Sequence, residues 1–140
     1  MSILVINSSQ VTPTRVETIS NALFSYACTK NISSQQLHLF EYPLPICDGS
    51  ASFSHPHVEP VTKIIEESKG IIICSAVYNY TLTSAVKTLI EHTGKAWNDK
   101  VVGFALCAGG EKSYMASMSV ATSLMLDFRC YIVPRSVYVL

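Results

Sequence analysis

The sequence predicts an α/β fold in which a five-stranded parallel sheet carries helices on both faces. Two observations predict it. Short unbroken apolar runs, typical of strands buried on both faces, recur along the chain. Segments with apolar residues at helical spacing separate these runs, so strands and helices alternate throughout. This alternation predicts parallel strands joined by right-handed crossovers.

The predicted elements follow one another without an internal repeat or linker. The predicted strands cover residues 3–6, 37–40, 71–74, 101–107 and 130–133, the last continuing toward residue 140. The predicted helices cover residues 16–27, 58–65, 82–90 and 113–127. The fourth helix carries apolar side chains on several faces, Met118 and Met125 among them, which favours contact with another subunit.

Composition bounds the class of protein. The 140 residues indicate a single domain over residues 1–140, with 49% hydrophobic residues and a net charge of zero. Ten basic against ten acidic residues leave no electrostatic footprint for nucleic acid or an anionic membrane. No apolar stretch approaches the roughly 20 residues of a membrane span, and the start of the sequence lacks a secretory pattern, so we expect a cytoplasmic protein.

Ligands of open parallel sheets bind beyond the carboxyl ends of the strands, where the strand order reverses. The loops to consider here cover residues 7–15, 75–81 and 108–113. The first holds four hydroxyl side chains and Arg15 just before a helix, an arrangement that favours a phosphate. It is neither a Walker loop nor a dinucleotide-binding glycine motif, which favours a mononucleotide. Ordinary N-capping by Thr12 or Thr14 is the alternative.

The second and third loops offer a place for a planar ring. Tyr78, Asn79 and Tyr80 follow a buried strand, and backbone amides there could meet the polar edge of a ring. Gly109 and Gly110 allow the backbone to approach a ring closely. Tyrosines that only cover the sheet end, and a plain turn at the glycines, are the alternatives.

Motifs in these loops and in the elements around them occur in a recognisable order. Residues 13–16 run Pro-Thr-Arg-Val, residues 78–79 Tyr-Asn, and residues 84–90 Ser-Ala-Val-Lys-Thr-Leu-Ile. A lysine-led strand ends in Ala-Gly-Gly at residue 110, and the last strand carries Val-Pro followed by Val-Tyr. Over its whole length the chain thereby resembles the NADPH-dependent FMN reductases, and in particular the reductase components of two-component flavin monooxygenases.

The resemblance implies a flavodoxin-like three-layer sandwich with strand order 2-1-3-4-5, and FMN with NADPH or NADH as cofactors. It implies that hydride passes from the nicotinamide to the flavin, and onward to free flavin, a quinone, another small-molecule acceptor or a partner enzyme. No catalytic side chain and no metal are implied. The cofactor contacts it implies are Ser9, Val11, Thr14, Arg15, Val16, Ala76, Val77, Tyr78, Asn79, Ala108, Gly109 and Gly110.

The sequence departs from the family pattern at several points. Val11 stands where many members have a phosphate-binding arginine, Val16 where a polar side chain is common, and Ala76 in place of a proline. Members usually continue with a last helix, which is missing after the fifth strand here. The sheet face that this leaves bare favours a homodimer or homotetramer, and a truncated chain is the alternative.

Two other functions remain open. A non-catalytic FMN-binding electron carrier would share the fold, although such carriers are usually strongly acidic and this chain is neutral. A flavin-free flavodoxin-like scaffold is favoured by the valine at position 11.

Overall fold

The computed structural model describes residues 2–140 and contains one sheet with helices on both faces. The strands are β1 (Ile3–Asn7), β2 (Ser34–His38), β3 (Gly70–Tyr78), β4 (Thr81–Leu82), β5 (Val101–Cys107), β6 (Tyr131–Ile132) and β7 (Val137–Val139). The helices are α1 (Arg15–Thr29), α2 (Val58–Glu66), α3 (Ser84–Thr93) and α4 (Met118–Phe128). No helix within the described residues combines the length and apolar character needed to cross a bilayer.

The sheet order confirms the predicted topology. The strands lie in the order β2-β1-β3-β5-β6, β7 also pairs with β5, and all of these pairings are parallel. The predicted fourth strand is β5, and the predicted fifth strand is β6 together with β7. In the predicted numbering the order is therefore 2-1-3-4-5, which is that of the flavodoxin-like fold. No helix follows β7 within residues 2–140.

The count of five strands was too low, because the structure contains seven. The predicted fifth strand is divided into β6 and β7. Ile132 pairs with Val102 and Val137 with Ala105, so the chain advances five residues from β6 to β7 while β5 advances three. Pro134 lies in the interruption and has no N–H for the ladder. The other addition is β4, which turns back antiparallel on the end of β3.

Alternating side chains on the central strands divide the core between the two faces. Leu4, Ile6 and Ile73 pack with α2, α3 and α4, whereas Val5 and Cys74 pack with Val16 and its neighbours on α1. On the α1 face an apolar groove of about 280 Å³ stays open beside the helix. The face that was expected to be bare is therefore only partly covered.

Candidate functional site

The carboxyl ends of β1, β3 and β5 are neighbours in the sheet, so the three loops that follow them meet at one edge. Below them, hydroxyl side chains join the elements. Thr83, just before α3, donates from Oγ1 to Ser8 Oγ at 3.1 Å, and its N–H donates to Ser75 Oγ at 3.2 Å. Ser8 and Ser75 are fully buried, so this network forms a fixed floor under the site.

The first loop is held by bonds to its own ends. Ser9 N–H donates to Asn7 Oδ1 at 3.0 Å, and the Ser9 and Thr14 hydroxyls lie 2.8 Å apart. Thr14 is also the N-cap of α1, since its Oγ1 accepts from Glu17 N–H at 3.1 Å. The N-capping alternative is therefore correct for Thr14, while Thr12 donates its hydroxyl proton to the Glu17 carboxylate instead.

The remaining predicted residues of this loop differ in what they can offer a ligand. Arg15 is exposed at the first position of α1, where its guanidinium is free to reach an anion. Val11 is 67% exposed and contributes no donor beyond its N–H. Val16 is only 3% exposed because its side chain packs against the sheet, which leaves its backbone N–H as the group available to the loop.

The second loop is a tight hairpin turn. Tyr78 pairs with Thr81, and the two residues between them, Asn79 and Tyr80, have φ values of 51° and 63°. Positive φ at both central positions is the requirement of a type I′ turn. A tyrosine in this conformation is strained, and such strain clusters at functional sites. The turn leaves the side chains of Tyr78 and Tyr80 exposed.

A cleft of about 650 Å³ lies between this turn and the third loop. It is lined by Val77, Asn79, Tyr80, Gly110, Glu111, Lys112 and Ser113. Its volume is in the range of small-molecule sites. A Cβ at Gly109 or Gly110 would meet no atom within 4 Å, so the space beside this backbone is open. The structure thus brings the second and third predicted loops together around one cleft.

Two predicted residues have small side chains packed against the sheet, so only their backbone is available to a ligand. Ala108 is 2% exposed and donates its N–H to Val139 O at 2.8 Å, which ties the third loop to β7. Ala76 is half-buried within β3. The third loop is held further by Tyr138, whose hydroxyl donates to Gly110 O and lies 2.7 Å from Ser113 Oγ.

A polar pair at the ends of β1 and β2 was missed by the sequence analysis. Asn7 is fully buried, and its Nδ2 lies 3.1 Å from Nδ1 of His38. Because Asn7 Oδ1 accepts from Ser9 N–H, its amide NH₂ must face His38, which therefore offers a lone pair at Nδ1. Asn7 thus connects the first loop to the neighbouring strand.

Cys74, a fully buried residue in the middle of β3, is not a nucleophile. Burial, with a smaller contribution from Cys107, raises the pKa of the Cys74 thiol to about 12. Thiol chemistry requires the thiolate, so Cys74 is inert near neutral pH. It is one of the small apolar side chains of the core beneath α1.

Comparisons with known proteins agree with the fold and the motifs. The family model described as NADPH-dependent FMN reductase matches residues 1–140. An NAD(P)H-dependent FAD/FMN reductase of Geobacillus thermodenitrificans (strain NG80-2) is 25% identical over 109 residues, covering 76% of this chain. The chain spans only 59% of that relative's length.

Two solved structures superpose closely. The flavoenzyme NAD(P)H:(acceptor) oxidoreductase FerB from Paracoccus denitrificans has a TM-score of 0.80 at 15% identity, covering 96% of this chain and 77% of FerB. The apo form of the NADH:FMN oxidoreductase EMOB has a TM-score of 0.79 at 13% identity, covering 99% of this chain and 75% of EMOB. At these identities the superpositions show a shared fold.

Proposed function

The chain belongs to the family of NADPH-dependent FMN reductases, and we propose on this premise that it transfers hydride from NADPH or NADH to FMN. The observation that carries the proposal is the open cleft between the second and third loops, next to a hydroxyl-lined loop at a helix N-terminus. The first arrangement suits a planar ring and the second suits a phosphate. Both ends of FMN therefore find complementary groups.

In this proposal the first loop binds the phosphate of FMN. The hydroxyls of Ser9 and Thr14 and the guanidinium of Arg15 would contact the phosphate oxygens, together with the N–H groups of Val11 and Val16. The dipole of α1, a helix of 15 residues, adds positive potential at the same place.

The second and third loops bind the flavin ring in this proposal. The backbone of residues 76–79 would face the polar edge of the ring, and the backbone of residues 108–110 would pass close to it. The exposed ring of Tyr78 or Tyr80 can cover apolar surface of the flavin. We propose all twelve predicted contact residues in these roles.

The chain's own contribution to the reaction is positioning. Bound FMN supplies the hydride-accepting ring, so no protein nucleophile or general base is needed. The cleft of about 650 Å³ leaves room beside the ring for the nicotinamide, and Lys112 on its rim can attract the phosphates of NADPH. The buried hydrogen bonds among Ser8, Ser75 and Thr83 hold the ends of β1 and β3 and the start of α3 in fixed relative positions, so the loops that bind the ligand are positioned in advance.

The test is a titration of the purified protein with FMN, followed by flavin fluorescence and thermal unfolding, with AMP as a phosphate-bearing control that lacks the flavin ring. NADPH and NADH absorbance is then followed with FMN present. We expect FMN, but not AMP, to bind and to raise the melting temperature. We expect NADPH or NADH to be consumed when FMN is present. Binding without NAD(P)H consumption would favour the electron carrier. No stabilisation by excess FMN would favour the scaffold.

We also propose a homodimer or homotetramer formed through α3 and α4, in the cytoplasm. Support for the interface comes from α4, where Met118, Met125 and Leu126 are 46%, 41% and 78% exposed. Support for the location comes from five free cysteines, which suit a reducing compartment. The electron acceptor in this proposal is free flavin, a quinone, another small molecule or a partner enzyme.

Placing charges on α4 tests the interface. Met118→Glu with Met125→Glu should lower the sedimentation coefficient to that of a monomer, because a carboxylate cannot be buried without a partner. Tyr26→Glu is the control, since Tyr26 is 61% exposed on α1, away from this helix. An unchanged sedimentation coefficient in the double variant would contradict an interface at α4.

A further inference from the structure

We propose that Glu17 is a specificity-determining residue that weakens the hold of the first loop on the flavin phosphate. The site then discriminates poorly between FMN and riboflavin, and it releases FMN readily. This inference rests on the proposed function, because it concerns the same site. It adds to the proposed contacts a carboxylate, Glu17, that opposes binding of the FMN phosphate.

The first step is the position of the carboxylate. Glu17 lies in the first turn of α1, and its carboxylate accepts the hydroxyl proton of Thr12, which is in the middle of the first loop. The side chain is therefore held back over the loop and is half-buried there. A negative charge therefore lies at the loop that is proposed to hold the phosphate.

The second step is the use of the loop's donors. The Thr12 hydroxyl donates to the Glu17 carboxylate, the Glu17 N–H donates to Thr14 Oγ1, and the Ser9 N–H donates to Asn7 Oδ1. The Ser9 and Thr14 hydroxyls are paired with each other. A phosphate that takes these groups must replace existing bonds, which offset part of what the new bonds contribute, and only groups such as the Arg15 guanidinium and the Val11 and Val16 N–H are open to it without such a loss.

The third step is the charge balance. Residues 8–18 contain one cation, Arg15, and one anion, Glu17, so this stretch is neutral. The two side chains are two positions apart on the helix and do not face each other. Neither of the ion pairs found among residues 2–140, Lys87–Glu91 and Arg129–Asp99, involves them. Each charge therefore acts on a ligand at the loop separately.

The consequence differs between two flavins. The phosphate of FMN carries between one and two negative charges near neutral pH, and a nearby carboxylate repels it. Riboflavin ends in a neutral hydroxyl and is not repelled. The repulsion across a few ångströms in a solvated site changes affinity by roughly tenfold. The ratio of the two affinities therefore measures what Glu17 does, independently of how well the ring is bound.

The experiment measures the dissociation constants of FMN and riboflavin by flavin fluorescence for the wild type, Glu17→Gln and Glu59→Gln. Glutamine can still accept the Thr12 proton, so the substitution removes charge and keeps the hydrogen bond. Glu59 is the matched control, since it is an exposed carboxylate in the first turn of α2. Thermal unfolding of each variant checks that it is folded.

We expect Glu17→Gln to tighten FMN binding by about tenfold and to leave riboflavin binding unchanged, with Glu59→Gln matching the wild type. Low salt should enlarge the difference and high salt should shrink it. An unchanged ratio of FMN to riboflavin affinity, or weaker FMN binding, would overturn the role of Glu17 while the proposed function stands. If no variant binds either flavin, the proposed function fails, and the inference fails with it.

Discussion

Replacing Trp97 with alanine should lower the free energy of unfolding by about 3–5 kcal/mol, because a large buried side chain leaves a cavity that the core fills only partly. Trp97 is the only tryptophan of the chain and is fully buried. It ends the 3-10 turn that follows α3, and its Nε1 donates to Thr93 Oγ1 at 2.7 Å. The Cys130 thiol donates to its carbonyl oxygen at 3.1 Å.

This position connects three parts of the fold, which is why the effect should be large. The indole packs in the core shared by α2, α3 and α4, and the bond from Cys130 ties the turn to the segment just before β6. Urea unfolding followed by far-ultraviolet circular dichroism measures the loss, since the variant has no tryptophan fluorescence. Tyr26→Ala, at an exposed aromatic, should change stability by less than about 0.5 kcal/mol. Equal losses in the two variants would contradict the packing described for Trp97.

The sequence was most informative where burial is complete. The central strands β1, β3 and β5 are largely buried, so their apolar runs are unbroken and each was located from the sequence, β5 with its exact bounds. The end of β3 was missed, because the strand continues to Tyr78 through residues that were predicted as loop. The edge strand β2 has the sequence Ser-Gln-Gln-Leu-His, in which only Leu37 is buried. Its start was missed because pairing with β1, and not apolar side chains, holds it in place.

The start of α4 was predicted too early for a related reason. Met115 and Ala116 continue the apolar pattern of the helix toward its start, but the helix begins at Met118. The preceding segment forms a 3-10 turn at Glu111–Ser113, where Ser113 and Gly110 both bond to Tyr138 on β7. A contact over 25 residues overrides the local preference, and nothing in the local sequence indicates it.

The location of the site followed from topology, whereas its supporting bonds did not. The rule that ligands bind at the carboxyl edge selected the three loops that meet in the structure. The roles proposed for Asn7 and Glu17 depend on hydrogen bonds to particular partners, one of them 31 residues away. A polar residue ending an apolar strand, such as Asn7, was the one available signal, since a buried amide requires partners.

Asn7→Ala should weaken FMN binding by roughly ten- to a hundredfold and lower the free energy of unfolding by about 1–3 kcal/mol. The side chain of Asn7 is fully buried and bonds on both sides, to Ser9 N–H and to His38 Nδ1. Alanine would leave the Ser9 N–H without its partner in a buried position, and His38 Nδ1 without its partner in a half-buried one. The Ser9 end matters most for the ligand, because Ser9 is paired with Thr14 in the loop proposed to hold the phosphate.

A second variant separates the two sides of this amide. His38→Phe removes the acceptor at Nδ1 but leaves Asn7 Oδ1 bonded to Ser9 N–H, so it should destabilise the fold with a much smaller effect on FMN affinity. Fluorescence titration with FMN and urea unfolding measure the two quantities separately. Equal losses of FMN affinity in both variants would contradict a role for the Asn7–Ser9 bond in shaping the loop. A stability loss confined to Asn7→Ala would instead show that the His38 contact contributes little to the fold and that the bond to Ser9 N–H carries the effect.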